Sequence, residues 1–153
     1  MLWEARSTVD PSQEGSTTAA WRARARDHLK LAPNDVEVIA SLARVQQRQG
    51  PGGAEEALAL AERGLAVAAE HGAADGVVLE LHKTRTIAAH MLAPPSAPLE
   101  ARDRVARFAR AWVAEATARG APTDDPMLAC TNAGGTEAFC TGASGQLRGQ
   151  PVE

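Results

Sequence analysis

The sequence predicts an all-α fold, and three observations support this prediction. First, 33 of the 153 residues are Ala, the residue with the highest helix propensity. Second, apolar residues recur at three- and four-residue intervals, the period of an amphipathic helix. Third, Gly and Pro residues, which end helices, separate these periodic segments. A chain of 16.0 kDa with 44% hydrophobic residues suits one small domain with a core of Ala, Leu and Val.

The first two helices are predicted over residues 19–31 and 34–49. Pro33 ends the first helix, because the residue before a proline avoids the helical region. Asn34 is the predicted N-cap of the second helix, and Glu37 completes a capping box with it. Gly50 ends this helix. The predicted inward-facing residues of the pair are Trp21, Ala25, Leu29, Val38, Leu42 and Val45.

Three further helices are predicted over residues 54–71, 75–92 and 99–119. Gly72 and Gly120 end the first and last of these, and a proline-rich connector at 93–98 precedes the last. Gly64 lies inside the 54–71 helix, where glycine costs about 1 kcal/mol relative to Ala. We therefore predict that another helix approaches closely at Gly64.

Both ends of the chain are predicted to be flexible and to flank a helical domain at 19–120. Residues 1–18 form the N-terminal arm, and residues 121–153 form a tail rich in Gly, Thr and Pro. The tail contains Cys130 and Cys140, the two Cys residues of the chain. They are interpreted either as free thiols or as a disulfide that closes a short loop, and the sequence leaves both alternatives open.

One stretch of the sequence carries a more specific pattern. Residues 29–35 read Leu-Lys-Leu-Ala-Pro-Asn-Asp, and the motifs Ile39-x2-Leu42-Ala43-x2-Gln46 and Glu56-Ala57-x3-Ala61-x2-Gly64-Leu65 follow. This pattern resembles the tetratricopeptide repeat, a helix-turn-helix unit of about 34 residues. The sequence departs from that family at Gln46, Ala61 and Gly64, and Pro51-Gly52-Gly53 is predicted to lengthen the turn. The resemblance implies antiparallel helix pairs stacked in an α-solenoid, here of about five helices.

The resemblance implies a non-catalytic scaffold that holds a protein or peptide in a concave groove lined by first helices. The predicted contact residues, on the polar face of the 34–49 helix, are Glu37, Arg44, Gln47 and Arg48. Arg44 and Arg48 are four residues apart and therefore neighbours on the helix surface. Two guanidinium groups can bind a carboxylate bidentately, so we expect an acidic peptide or a chain terminus as the partner.

Two alternatives to this function stay open. The main alternative is an assembly or regulatory subunit that self-associates or docks on a catalytic partner, because few repeats leave the ends of a solenoid open. The more distant one is a helical leader with a modifiable Cys/Thr-rich C-terminal peptide. No catalytic motif, cofactor loop or metal-ligand spacing is recognisable, so we expect no enzyme activity, cofactor or metal. A net charge of −3 argues against nucleic acid as a partner, and the apolar runs are too short to span a membrane, so we expect a cytoplasmic location.

Overall fold

A computed structural model describes residues 14–147, with side chains described from residue 18 onward. This part of the chain contains seven α-helices and no strand, which confirms the predicted all-α class. The helices are α1 (Glu14–Leu31), α2 (Val36–Arg48), α3 (Pro51–His71), α4 (Asp75–Met91), α5 (Leu99–Ala118), α6 (Asp124–Asn132) and α7 (Glu137–Cys140). Within the same residues, no helix is both long and apolar enough to cross a membrane.

The second helix is capped by Asp35 rather than by the predicted Asn34. The backbone N–H of Val38 donates to Oδ1 of Asp35 over 3.3 Å. The other carboxylate oxygen, Oδ2, lies 2.7 Å from Nε2 of His28 in α1. Asp35 therefore satisfies an amide of α2 that has no partner within the helix, and it also ties α2 to α1.

The Gly-Pro-Gly-Gly segment begins α3 and does not form the long turn that the sequence predicted. Gly50, at a φ of 81°, is the N-cap, and Pro51 occupies the first turn, where its missing N–H leaves no hydrogen bond unmade. Gly53 is required there, because a Cβ at this position would lie 2.0 Å from the carbonyl oxygen of Gln46. Only Gln49 and Gly50 separate α2 from α3.

The helices pack in chain order around a point of close approach in the middle of the molecule. Each helix from α1 to α5 packs against the next, α2 also packs against α4, and α5 contacts both α6 and α7. A Cβ at Gly64 of α3 would lie 2.6 Å from Cδ2 of Leu81 in α4 and 3.1 Å from Cγ2 of Ile39 in α2. This confirms the predicted close approach and places α2, α3 and α4 in mutual contact.

The C-terminal segment is folded over most of its length, which corrects the prediction of a flexible tail at 121–153. Helices α6 and α7 pack on α5, and Cys130, Phe139 and Cys140 are buried. Cys130 and Cys140 form a disulfide, so the structure contains this alternative rather than free thiols. A Cβ at Gly135 would lie 2.7 Å from Sγ of Cys140 and 2.8 Å from Sγ of Cys130, so glycine makes room for the bond.

The predicted N-terminal arm also differs from the structure where the two can be compared. Residues 14–18 of the arm at 1–18 already belong to α1. Residues 1–13 and 148–153 lie outside the described part of the chain.

Candidate functional site

A cavity of about 380 Å³ opens between α2 and α4. Its volume lies within the range of roughly 300–1,000 Å³ that is usual for ligand sites. From α2 and its cap, the lining residues are Asp35, Glu37, Val38, Ala40, Ser41 and Arg44. From α4 they are Gly76, Val77 and Glu80, and α1 adds Trp21.

Within the described part of the chain, the charged residues around the α2–α4 cavity are three carboxylates and one guanidinium. Nη1 of Arg44 lies 3.8 Å from Oε1 of Glu80, and both side chains are 32% exposed. Asp35 is engaged by the N-terminus of α2 and by His28. Glu37 is exposed and forms no ion pair with the residues that the structure describes. Negative charge therefore predominates at the cavity.

Of the four predicted contact residues, Glu37 and Arg44 border the cavity, whereas Gln47 and Arg48 do not. Nε2 of Gln47 lies 3.9 Å from the sulfur of Met91, towards the C-terminal end of α4. Arg48 is exposed in the last turn of α2. Only one of the two arginines of the predicted clamp therefore borders the cavity, and that arginine faces a carboxylate.

Sequence reasoning missed the residues that other helices bring to the cavity. Glu80 lies one turn beyond Gly76 and Val77 on α4, so all three share one helix face. That spacing is visible in the sequence, but it indicates a site only once the register of α4 against α2 is known. Trp21, predicted as a core residue, is buried at 9% exposure and also borders the cavity.

A polar network joins α1, α2 and α3 next to the apolar core. Glu56 accepts hydrogen bonds from Nε2 of Gln46 over 2.9 Å and from Nη2 of Arg26 over 2.7 Å. Arg22 donates to Oε1 of Gln46 over 3.3 Å. Burial raises the pKa of Glu56, but the hydrogen bonds from Arg26 and Gln46 outweigh it, so the pKa lies below its ordinary value of 4.5. Gln46 therefore connects three helices at the position where the resembled family usually has an aromatic residue.

A second buried polar group lies on α4. His82 is 7% exposed, and Nη2 of Arg85 lies 3.3 Å from its Nδ1. Burial and then the charge of Arg85 lower the pKa of His82 from 6.5 to about 4, so the imidazole is neutral at physiological pH. The guanidinium of Arg85 lies 4.2 Å from the ring centroid of Phe108 in α5. These residues link α4 to α5 and do not border the α2–α4 cavity.

Neither metal-site geometry nor similarity to other proteins adds a further assignment. Among the side chains described, no group of three or more His, Cys, Asp or Glu residues is arranged to hold a metal ion. The chain matches no protein-family model, and no curated protein or solved structure is significantly similar to it. The function is therefore inferred from the geometry of the cavity.

Proposed function

We propose that the chain is a non-catalytic scaffold that binds a protein or peptide segment at the α2–α4 cavity. The observation that carries this proposal is the cavity, which is bordered by two helices distant in sequence and by Trp21 of a third. Its lining combines apolar side chains, such as Val38 and Val77, with charged ones at its edge. Peptide-binding sites have this combination, since apolar contacts supply affinity and a few polar groups supply specificity.

A tetratricopeptide-like arrangement is part of the proposal. Helix α2 packs against both α3 and α4, as expected if α2 and α4 are the first helices of successive pairs. In such a solenoid the first helices lie side by side along the inner face. A groove between them is then the place where a bound segment contacts both pairs at once.

The chemistry of the cavity favours binding over catalysis. Catalysis by acid–base or covalent mechanisms needs a nucleophile or base held within hydrogen-bond reach of its partner. Among the described residues, the lining contains no His, Cys or Lys, and no hydrogen bond joins its Ser41 hydroxyl to one of its three carboxylates. Charge and shape are sufficient for recognising a peptide, and the lining supplies both.

Blocking the cavity tests this proposal. Ser41 borders the cavity and is half-buried, so a Ser41→Trp substitution fills the space with an indole. Peptides selected from a random display library on the intact chain are expected to bind this variant about tenfold or more weakly, as for loss of a central contact. Titration calorimetry measures the loss, and circular dichroism checks that the variant stays helical.

The matched control is Ala66→Trp, which places the same side chain on an exposed position of α3 that borders no described cavity. This control is expected to bind the selected peptides as the parent does. Peptides that bind Ser41→Trp as tightly as the parent would contradict the proposal, as would a selection that enriches none.

A further inference from the structure

We propose that the α2–α4 cavity selects a basic peptide segment, one of whose arginine or lysine side chains enters beside Trp21. This inference rests on the proposed function and adds the charge of the partner. It reverses the acidic partner expected from Arg44 and Arg48, because that expectation considered one helix alone.

The sign of the charge around the cavity is the first step. Glu37 and Glu80 come from different helices, and Asp35 adds a third carboxylate at the start of α2. Among the residues with described side chains, Arg44 is the single cation in the lining, and its guanidinium faces Glu80. An incoming carboxylate would meet Arg44, whose guanidinium already faces Glu80, and it would also meet the negative charges of Asp35 and Glu37. An incoming cation would meet the charge of Glu37, which forms no ion pair with the residues that the structure describes.

The apolar part of the lining is the second step. Val38 and Val77 border the cavity from opposite helices, and Trp21 adds an aromatic surface. Lysine and arginine bury their aliphatic stems against such surfaces while the charged head reaches polar groups. Cations are also attracted to indole rings within about 6 Å. The lining therefore matches both parts of a long basic side chain.

The contrast with Arg48 is the third step. Arg48 is exposed beyond the cavity, so it adds no positive charge to the lining. Gln47, which precedes Arg48 on α2, lies against Met91. The positive charge of Arg48 therefore lies outside the cavity, whereas the negative charges of Glu37 on α2 and Glu80 on α4 border it.

The experiment compares two double variants that change the net charge equally. Glu37→Gln/Glu80→Gln removes the two exposed or half-exposed carboxylates at the cavity. Glu70→Gln/Glu100→Gln removes two exposed carboxylates that border no described cavity. The display selection described above, performed on the intact chain, supplies the peptides, and their affinities for both variants are measured at low and high salt.

The enriched peptides whose binding is lost in Ser41→Trp are expected to share an arginine or lysine. Their affinity is expected to fall about fivefold or more in Glu37→Gln/Glu80→Gln, the cavity variant, as for the loss of two partly exposed ion pairs. It is expected to fall less than about twofold in the control, Glu70→Gln/Glu100→Gln. Added salt is expected to weaken binding to the parent more than binding to the cavity variant.

Four results would overturn the inference. If the cavity-dependent peptides are acidic or uncharged, or if the cavity variant binds basic peptides as the parent does, the basic-segment inference fails and the scaffold stands. If no peptide depends on the open cavity, the proposed function fails with it. If Ser41→Trp abolishes self-association seen by analytical ultracentrifugation, the occupant is a second copy of the chain and not a basic peptide.

Discussion

His82 is held neutral in the folded chain by its surroundings on α4 and α5. Burial is the largest cause of its lowered pKa, and Arg85 adds to it. Glu115 of α5 opposes the shift, and Arg119, the C-cap of that helix, supports it. Because the folded-state pKa lies below the unfolded value, the stabilisation is complete above about pH 6.5 and is lost as the pH falls towards 4.

We expect His82 to lower the free energy of unfolding by about 3 kcal/mol between pH 6.5 and 4, from a shift in pKa from 6.5 to about 4. Urea denaturation at a series of pH values measures this loss. His82→Gln keeps an acceptor for Arg85 but does not titrate. The free energy of unfolding of this variant is therefore expected to change much less between pH 6.5 and 4, with a smaller slope against pH. Equal slopes in parent and variant would show that His82 is not responsible.

The candidate site was predictable at the residue scale only where one helix determines it. Glu37 and Arg44 are seven residues apart on α2, so their common face follows from helical periodicity alone. Glu80 and Trp21 come from α4 and α1, and no pattern within one helix places them opposite α2. The charge of the lining includes Glu80, which explains why Arg44 and Arg48 of α2 alone led us to expect an acidic partner, whereas the lining as a whole leads us to propose a basic one.

At the element scale, helices with long apolar periodicity were predicted within a few residues. The end of α1 and the whole of α4 and α5 agree closely, and α3 begins three residues earlier than predicted because Pro51 fits a first helical turn. Helices α6 and α7 were missed because they have 9 and 4 residues, too few to show a period. They owe their order to packing on α5 and to the disulfide, which local propensity does not reveal.

The disulfide is expected to hold α6 and α7 on α5. It closes a loop between residues 10 apart in sequence, and the loss of this constraint is expected to cost about 2–3 kcal/mol of unfolding free energy. Cys130→Ala/Cys140→Ala should therefore lower the urea midpoint and increase hydrogen exchange in residues 124–140. Exchange in α2 and α3, which form no extensive contact with α6 or α7, should stay unchanged.

Thiol labelling gives the control for this prediction, since the parent should show no reactive thiol until it is unfolded and reduced. Unchanged exchange in residues 124–140 of the double variant would show that packing alone holds the segment.

Structural disulfides persist in oxidising compartments. The cytoplasmic location expected from the sequence thus stays a prediction, and the disulfide weighs against it.

At the scale of the whole molecule, the packing is close to one-dimensional, because most of the contacts between helices join neighbours in the chain, with α2–α4 and α5–α7 as the further pairs. Stability in such an arrangement is a sum of local terms, and the ends open before the middle. The two ends are held differently. At the C-terminal end a disulfide joins α6 to α7 on the surface of α5. At the N-terminal end α1 packs on α2, and Arg26 reaches Glu56 of α3 across a surface ion pair.

This difference predicts that α1 opens first. Hydrogen exchange followed by mass spectrometry should show α1 exchanging about tenfold or more faster than α3, as for a terminal unit that unfolds locally.

Glu56→Gln keeps the shape of the side chain and removes its charge, so it should accelerate exchange in α1 by about two- to fivefold and leave α5 unchanged. The pKa of Glu56 lies below 4.5, so its stabilising charge is present above that pH and is lost as the pH falls through the lowered value. The rate of hydrogen exchange in α1 should therefore differ between parent and variant at neutral pH and become equal in acid. Equal exchange in α1 and α3 would show that α1 does not open first. A difference between parent and variant that persists in acid would mean that the charge of Glu56 does not hold α1 in place.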